Sequence, residues 1–393
     1  MSEDPVVAFS DPQWLGKQLG RSVASVSSEA LSAAGGWSGN MTRFCIQFED
    51  GTHGSYVLKS TKVGREAFGK SMGLFREAFF YLEFASTLTE SLAMPRVLYA
   101  RGDPDTGVNV VFMEDLSSAV QSGYFFGKGS PHNWDKDLAA LTKGWQLEPA
   151  MVTTMAFTQA AQLHSAFWRR EELVSSGHSW LRGAKWLVGE DESSWTEYQK
   201  QASDAWAAVK ASLQDGSCKV QWQPEVVACV DASLAKSKWA AFQAELQTRP
   251  WTLVHGDFHP ANMMVRPGPG GDAEGAALVL LDFEQVGVGS GPQELGQYLI
   301  SHCEPRTRAT IERGAVEEYY RLMCSQNSEM ASSMSWEACW EEYKHGGVGR
   351  WMWFLPILAG MCKPEQQQYF HDQVAAFIQD HGIDATNVPM ARV

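Results

Sequence analysis

Residues 253–262 read Leu253-Val254-His255-Gly256-Asp257-Phe258-His259-Pro260-Ala261-Asn262, and further on the apolar run Leu278–Leu281 ends in Asp282-Phe283-Glu284. An Asp and an Asn five positions apart on one loop can aim a base and a metal ligand at the same spot. A second Asp, at the end of a neighbouring strand, completes an oxygen grip on a divalent cation. Phosphoryl transfer from a nucleotide requires this equipment. A carboxylate must orient and deprotonate the attacking hydroxyl, and hard oxygen ligands must hold a magnesium ion that offsets charge on the phosphates. A polar turn between two core strands would carry similar residues, so the partner motifs upstream decide between the two readings.

Those partners occur in the required order. Phe44, Ile46 and Phe48 alternate with Arg43, Cys45 and Gln47, which predicts a strand over Thr42–Phe48. Asp50-Gly51 is a turn signal, and Gly54–Ser60 reads as the returning strand, carrying Val57-Leu58-Lys59. Phe75, Phe79 and Leu82 recur at helical spacing, which predicts a helix over Phe68–Leu88. Glu77 on that helix can anchor the Lys59 ammonium, with Glu83 the competing carboxylate further along. The Gly-rich turn Ala34-Gly35-Gly36-Trp37-Ser38-Gly39-Asn40-Met41 precedes the first strand, and glycines let backbone N–H groups approach phosphate. Arg96–Ala100 and Val108–Met113 complete a small antiparallel sheet carrying one main helix.

Beyond Met113 the helical period dominates. Val152, Ala156, Ala160, Leu163 and Phe167 form one apolar stripe over Ala150–Leu173. Further helices are expected near 195–213, 231–247, 293–302, 308–325, 335–343 and 365–380, with a hairpin, Asn262–Arg266 and Ala277–Phe283, around the Pro/Gly-rich loop 267–271. The expected fold class is α+β and bilobal, with an N-terminal lobe over 1–113 and a large, mostly helical C-terminal lobe over 114–393.

Composition narrows the class. The 393 residues carry 32 Lys+Arg against 46 Asp+Glu, a net charge of −14, with no basic run to serve as a nucleic-acid footprint. At 44% hydrophobic and 20% charged, the chain has ample core and is not intrinsically disordered. The longest apolar run, Trp351–Met361, is eleven residues and contains Pro356, whereas a membrane span needs about 20. Seven scattered cysteines without a C-x-x-C pair, and no secretory signal, are expected of a cytoplasmic protein with reduced thiols. Residues 1–113 hold 10 basic and 12 acidic side chains and the remainder 22 and 34, so the second part is the better host for a cationic or hydroxylated ligand.

On the H-G-D-x-x-x-x-N loop, Met113-Glu114-Asp115-Leu116, Leu163-His164 with Phe167-Trp168, and Glu318-Tyr319-Tyr320-Arg321-Leu322, the chain resembles the small-molecule kinases of the aminoglycoside phosphotransferase and choline kinase superfamily. These have a protein-kinase-like fold, and the ecdysteroid-kinase-like group is the nearest match. The resemblance implies Asp257 as catalytic base, Asn262 and Asp282 as Mg²⁺ ligands, and Lys59 on the phosphates of ATP, oriented by Glu77. It implies Gly36, Ser38, Gly39 and Asn40 at the nucleotide, and the backbone of Glu114, Asp115 and Leu116 as the adenine seat. The acceptor would be a small hydroxylated molecule: an amino alcohol, a choline-like cation, a sugar or a steroid-like alcohol. The chain departs from the family's common Asp-Leu pair in having Glu294-Leu295. It is unlike a protein kinase in having Asp-Phe-Glu for Asp-Phe-Gly and in having Glu294 only twelve positions after Asp282. A pseudokinase would require loss of a chemical residue, and all five are present. His255 is expected to fix the loop and His164 to pack in its helix, with His259 left open. The segment Gly349-Arg350-Trp351-Met352-Trp353-Phe354 is the candidate for one pocket wall.

Overall fold

The computed structural model describes residues 5–31, 39–88, 91–246, 248–270 and 274–393. The chain divides into two compact units, Met1–Ala119 with Val279–Val286, and Val120–Leu278 with Gly287–Val393. The fold is mixed α+β, with a five-stranded antiparallel sheet in the first unit and a mostly helical second unit.

In the first unit α1 (Pro5–Phe9) and α2 (Pro12–Leu19) precede β1 (Val23–Ala30), β2 (Gly39–Phe48) and β3 (His53–Thr61). Next come α3 (Glu66–Met72), α4 (Arg76–Glu83), α5 (Ala85–Leu88), β4 (Val97–Asp103) and β5 (Val108–Glu114). The strand order β1-β2-β3-β5-β4 puts β3 at the centre. Both edges of β3 are therefore paired, and its residues from Tyr56 to Thr61 are all buried, so both faces are covered there. One face, with Tyr56 and Leu58, packs on Phe9, Leu15, Phe44, Phe112 and their neighbours. Phe112 is the hub, its ring centroid 4.8 Å from Phe9 and 5.4 Å from Tyr56.

The expected helix over 68–88 is instead three short helices. Gly73, at φ +69°, ends α3 in a left-handed cap, and the apolar spacing resumes after it on α4. Strand β1 was not expected: as a mostly exposed edge reading VASVSSEA, it presents no buried alternation to detect.

The second unit opens with β6 (Val120–Gln121), α6 (Leu138–Leu141), α7 (Pro149–Ala166), α8 (Ala184–Leu187), α9 (Glu192–Asp215), α10 (Pro224–Lys236) and α11 (Trp239–Leu246). Strands β7 (Thr252–Val254) and β8 (Met263–Arg266) flank the His-Gly-Asp loop, and β9 (Ala277–Leu280) leads to residues 282–284. After β10 (Gly287–Gly289), which pairs with β7, come α12 (Gly291–His302), α13 (Pro305–Gln326), α14 (Ser328–Ser333), α15 (Trp336–Met361) and α16 (Pro364–Asp380). Helix α15 runs far beyond the expected 335–343. Its Gly346, Gly347 and Gly349 look like breakers, but a buried helix uses them for close approach. A Cβ on Gly296 of α12 would lie 2.6 Å from Gly347 Cα, so the two helices cross backbone to backbone there.

This crossing makes a testable pair. Gly296→Ala should destabilise the protein by about 1–3 kcal/mol through overpacking. Gly314→Ala, in the exposed interior of α13 with nothing within 4 Å of its Cβ position, should stabilise it by about 0.5–1 kcal/mol. Urea unfolding of the two variants checks both signs.

Candidate active site

Central strand β3 carries Lys59 on the face opposite Phe112's core, and α4 brings Glu77 to it. The Lys59 Nζ lies 2.9 Å from Glu77 Oε2, 3.0 Å from Asp282 Oδ1 and 2.9 Å from Glu284 Oε1. Asn109 of β5 donates from Nδ2 to Glu77 Oε2 at 3.0 Å, which fixes the carboxylate. Asp282 sits at φ 65°, in the left-handed region that Asp tolerates better than most residues. The next side chain, Phe283, stacks on Phe80 with centroids 3.7 Å apart, so packing holds the turn. One ammonium thus meets three carboxylates. Burial opposes the Lys59 charge, but the carboxylates outweigh it and hold its pKa well above the usual value. They cannot all be offset: burial, then the Asp282 charge, push Glu284 up to about 8, and burial raises Glu77. The oxygens of Glu77, Asp282 and Glu284 lie within 4.8 Å of one another, a hard donor set of the kind a divalent cation takes.

Within the second unit, β7 feeds the loop that carries Asp257. Gly256, at φ +84°, makes the sharp turn. Glu294 of α12 accepts from the backbone N–H of His255 at 3.0 Å and from that of Gly256, and lies 3.1 Å from His164 Nε2. Burial opposes its charge, but His164, His255 and the Gly256 N–H hold its pKa below the usual value. His164 is packed, as expected, but it is also the link from α7 to this carboxylate, its Nδ1 lying 2.9 Å from Tyr319 Oη. His255 is buried and accepts at Nδ1 from the Asp257 N–H at 3.3 Å, the loop-fixing part expected of it.

Asn262 donates from Nδ2 to Asp257 O and to Asp257 Oδ2, both at 3.0 Å, which turns its Oδ1 away from Asp257. The open question of His259 has a geometric answer. Its Nδ1 accepts from the Ala261 N–H, so the proton sits on Nε2, 3.3 Å from Asp257 Oδ2. The His259 ring stacks on His302 at 5.5 Å and 6°, with His132 beyond at 4.9 Å, and burial pushes His132 down to about 4. Burial works against the Asp257 charge, yet His259, then His255 and Arg350, hold its pKa far below the usual carboxylate range.

Lys59, Glu77 and Asp282 therefore come together in one unit, and Asp257 and Asn262 in the other. Gly39 begins β2 beside Lys59: its Cβ would lie 3.8 Å from Lys59 Cγ, and Asn40 pairs with Ser60. Gly36 and Ser38 lie outside the described residues. The N–H groups of Glu114 and Asp115 are engaged by Arg96 O and Ser55 O, so of the three expected adenine contacts the Leu116 amide is the one left to offer. The Asp115 side chain is taken by Arg43 Nε at 2.9 Å and Ser55 Oγ at 2.6 Å. Of the expected pocket wall, Arg350 lines a cleft, whereas Trp351 is core, stacked on Phe370 at 5.5 Å. Sequence reasoning missed Glu284, Asn109 and Gln297; only Glu284, standing where a glycine is common, left a trace in the motif.

A model of the phosphotransferase enzyme family matches residues 46–322. Among solved structures the chain is similar to the macrolide 2'-phosphotransferase MphH of Brachybacterium faecium, at 12% identity over 92% of this chain and 95% of that one, TM-score 0.41. It is similar to an ethanolamine kinase of Plasmodium vivax, at 9% identity over 90% and 81%, TM-score 0.47. A choline/ethanolamine kinase family protein from Mesorhizobium loti gives 14% identity over 95% and 97%, TM-score 0.34. No curated protein matches the chain.

The lysine cluster makes a stability prediction. Lys59→Met strands three carboxylates without their cation and should cost about 3–5 kcal/mol. Adding Glu284→Gln should recover part of that loss in urea unfolding. Equal stability of the single and double variants would show that the carboxylates do not depend on Lys59.

Proposed function

The chain belongs to the phosphotransferase enzyme family, and we propose that it transfers the γ-phosphoryl group of ATP to a hydroxyl of a small molecule. The observation that carries this reading is the pairing of an ionised Asp257 with Asn262, whose amide nitrogen is engaged and whose oxygen is left for a cation. In the transfer the acceptor's oxygen bonds to the γ-phosphorus and the bond from that phosphorus to the β–γ bridging oxygen breaks. The alcohol proton passes to Asp257, and the products are a phosphate monoester and ADP. A carboxylate held this acidic is a weak base at rest. Its part is to aim the hydroxyl and to take the proton as the oxygen loses electron density to phosphorus. His259 Nε2–H and Asn262 Nδ2 hold one of its oxygens, and the other, 3.5 Å from Gln297 Nε2, is the one to meet the alcohol.

In this reading residues 1–113 form the nucleotide-binding lobe and 114–393 the catalytic and substrate-binding lobe. Lys59 binds the α- and β-phosphates, and Glu77 orients it. Gly39 and Asn40 approach the phosphates, and the Leu116 amide takes the adenine. The donor chemistry of Asp282 and Asn262 fits Mg²⁺, which when bound would neutralise charge on the phosphates. Seven free cysteines and an acidic surface support a cytoplasmic protein without a nucleic-acid partner. Among the described residues no helix is long and apolar enough to cross a membrane. Within the family the ecdysteroid-kinase-like group is the nearest candidate, on sequence likeness.

Asp257→Asn keeps shape and reach but loses the charge that receives the proton. Calorimetry should show near-normal Mg²⁺–ATP binding, with phosphorylation of an acceptor found by ADP-release screening reduced by at least about 10². Asp282→Ala should weaken magnesium dependence more than Asn262→Ala, since a carboxylate offers a full charge and an amide a dipole. A wild-type protein that binds ATP yet phosphorylates no alcohol in a broad panel would make it a nucleotide-binding pseudokinase.

A further inference from the structure

Beside the Asp257 loop the second unit holds a cleft of about 760 Å³, its open mouth included. Gly256, Glu294 and Gln297 line its catalytic end, and Trp186, Phe242, Leu246, Trp251 and Val288 give it an apolar wall. Four arginines also line it, and they fall into two groups. Arg249 and Arg392 are neutralised within the protein: Arg392 Nη1 lies 2.7 Å from Glu342 Oε1, Arg249 Nη1 lies 3.5 Å from the same oxygen, and Glu245 pairs with both. Arg350 makes no such pair; it lies close enough to Asp257 and to Arg182, which also lines the cleft, to feel the charge of each.

Arg350 is only 7% exposed, and its buried Nη1 has no hydrogen-bond partner. Among the described residues no carboxylate lies within ion-pair distance of it. The two nearby anions are already committed, Glu294 to the His255 and Gly256 N–H groups and His164, and Asp257 to His259 and Asn262. The guanidinium is instead held over the rings of Trp353, at 4.8 Å, and Phe354, at 5.7 Å, which fix its plane and offer no charge. Burial, then the like charge of Arg182, push its pKa down to about 9, so it stays charged at neutral pH. Arg182 is itself seated by the fold, its carbonyl accepting the Val288 N–H at 2.8 Å. A buried guanidinium with an unanswered donor is costly unless something answers it.

We infer that the acceptor is a hydroxylated small molecule carrying an anionic group, such as a carboxylate, which bonds Arg350 Nη1 and faces Arg182 while its apolar body lies on the Trp186 and Phe242 wall. A planar, charged fork is the natural partner of an oxyanion and a poor one for an amino group. Cationic acceptors, which the acidic composition of residues 114–393 favours at first sight, would meet the like charge of Arg350 in this cleft.

The role of Asp257 in this inference rests on the phosphotransferase reading, but the charge preference can be measured without turnover. The probes are hydroxyhexanoate, hydroxyphenylacetate and glycerate, each beside its neutral amide, with aminohexanol as the cation, titrated calorimetrically into the full chain with and without Mg–ADP. At least one acid should bind about tenfold or more tighter than its amide and than aminohexanol. Arg350→Gln should bring that ratio to within about twofold. Arg182→Gln should also reduce it, and serves if Arg350→Gln does not fold. Amides equal to acids, a preference for aminohexanol, no binding by any acid, or an unchanged ratio in the folded variants each overturns the inference. An acid preference without phosphorylation of any acid would keep the anion site and remove the phosphotransferase reading. Phosphorylation of amino alcohols in preference to acids would do the reverse.

Discussion

The Glu294 carboxylate is the contact on which the rest of the second unit's chemistry depends. Its two oxygens collect the N–H groups of His255 and Gly256 and the ring of His164, so three segments distant in sequence converge on one side chain. A charge-assisted bond is worth about 1.5–3 kcal/mol, and a buried carboxylate left without such partners would take up a proton instead. The loop's shape and the charge of Glu294 are therefore one equilibrium. The position of Glu294 in turn depends on α12, and α12 sits where it does because Gly296 meets Gly347 with no side chain between them. A methyl group at that crossing would move the helix that moves the carboxylate that sets Asp257. The common family choice at this position is the shorter Asp. Here the longer Glu294 accepts from the His255 and Gly256 N–H groups and so fixes the loop.

The first unit solves a different problem. Lys59 must be buried to be rigid, and burial alone would discharge it, so carboxylates surround it. Three are more than one ammonium offsets, and the raised values of Glu77 and Glu284 express that excess. A cluster with surplus negative charge and converging oxygens is incomplete electrostatically. A cation carried in with a nucleotide would complete it. Glu284, at a position where protein kinases have glycine, enlarges that surplus.

Much of this was legible in the sequence, for physical reasons that also mark where legibility stops. Residues that act together because they are neighbours on one loop, as His255, Asp257 and Asn262 are, declare themselves by spacing. Lys59 and Glu77 were readable because a strand of period two and a helix of period 3.6 fix where each side chain points. Asn109, Gln297 and Arg182 were not, since each reaches its site only through packing between elements far apart in the chain, whereas Arg350 was expected only as part of a pocket wall. The elements missed or misdrawn follow the same logic. Strand β1 has no buried alternation because it is an exposed edge. Gly73 stops a helix whose apolar stripe continues beyond it, and the glycines of α15 look like breakers because the surface they approach is invisible in sequence.

The charge of the substrate side shows the same limit most sharply. Residues 114–393 carry 22 basic against 34 acidic side chains, which on composition alone argues for a cationic ligand. Most of those acids are on the surface, where screening confines their field to about 8–10 Å. A ligand inside a cleft is governed by the few groups that are desolvated with it, because a low local dielectric strengthens each of them several-fold. There the count is reversed in effect: Glu245 and Glu342 are absorbed by Arg249 and Arg392, Glu294 and Asp257 by the loop they organise, and Arg350 retains a donor that nothing among the described residues answers. Net charge describes how a protein meets solvent. The unpaired buried charge describes what it was built to hold.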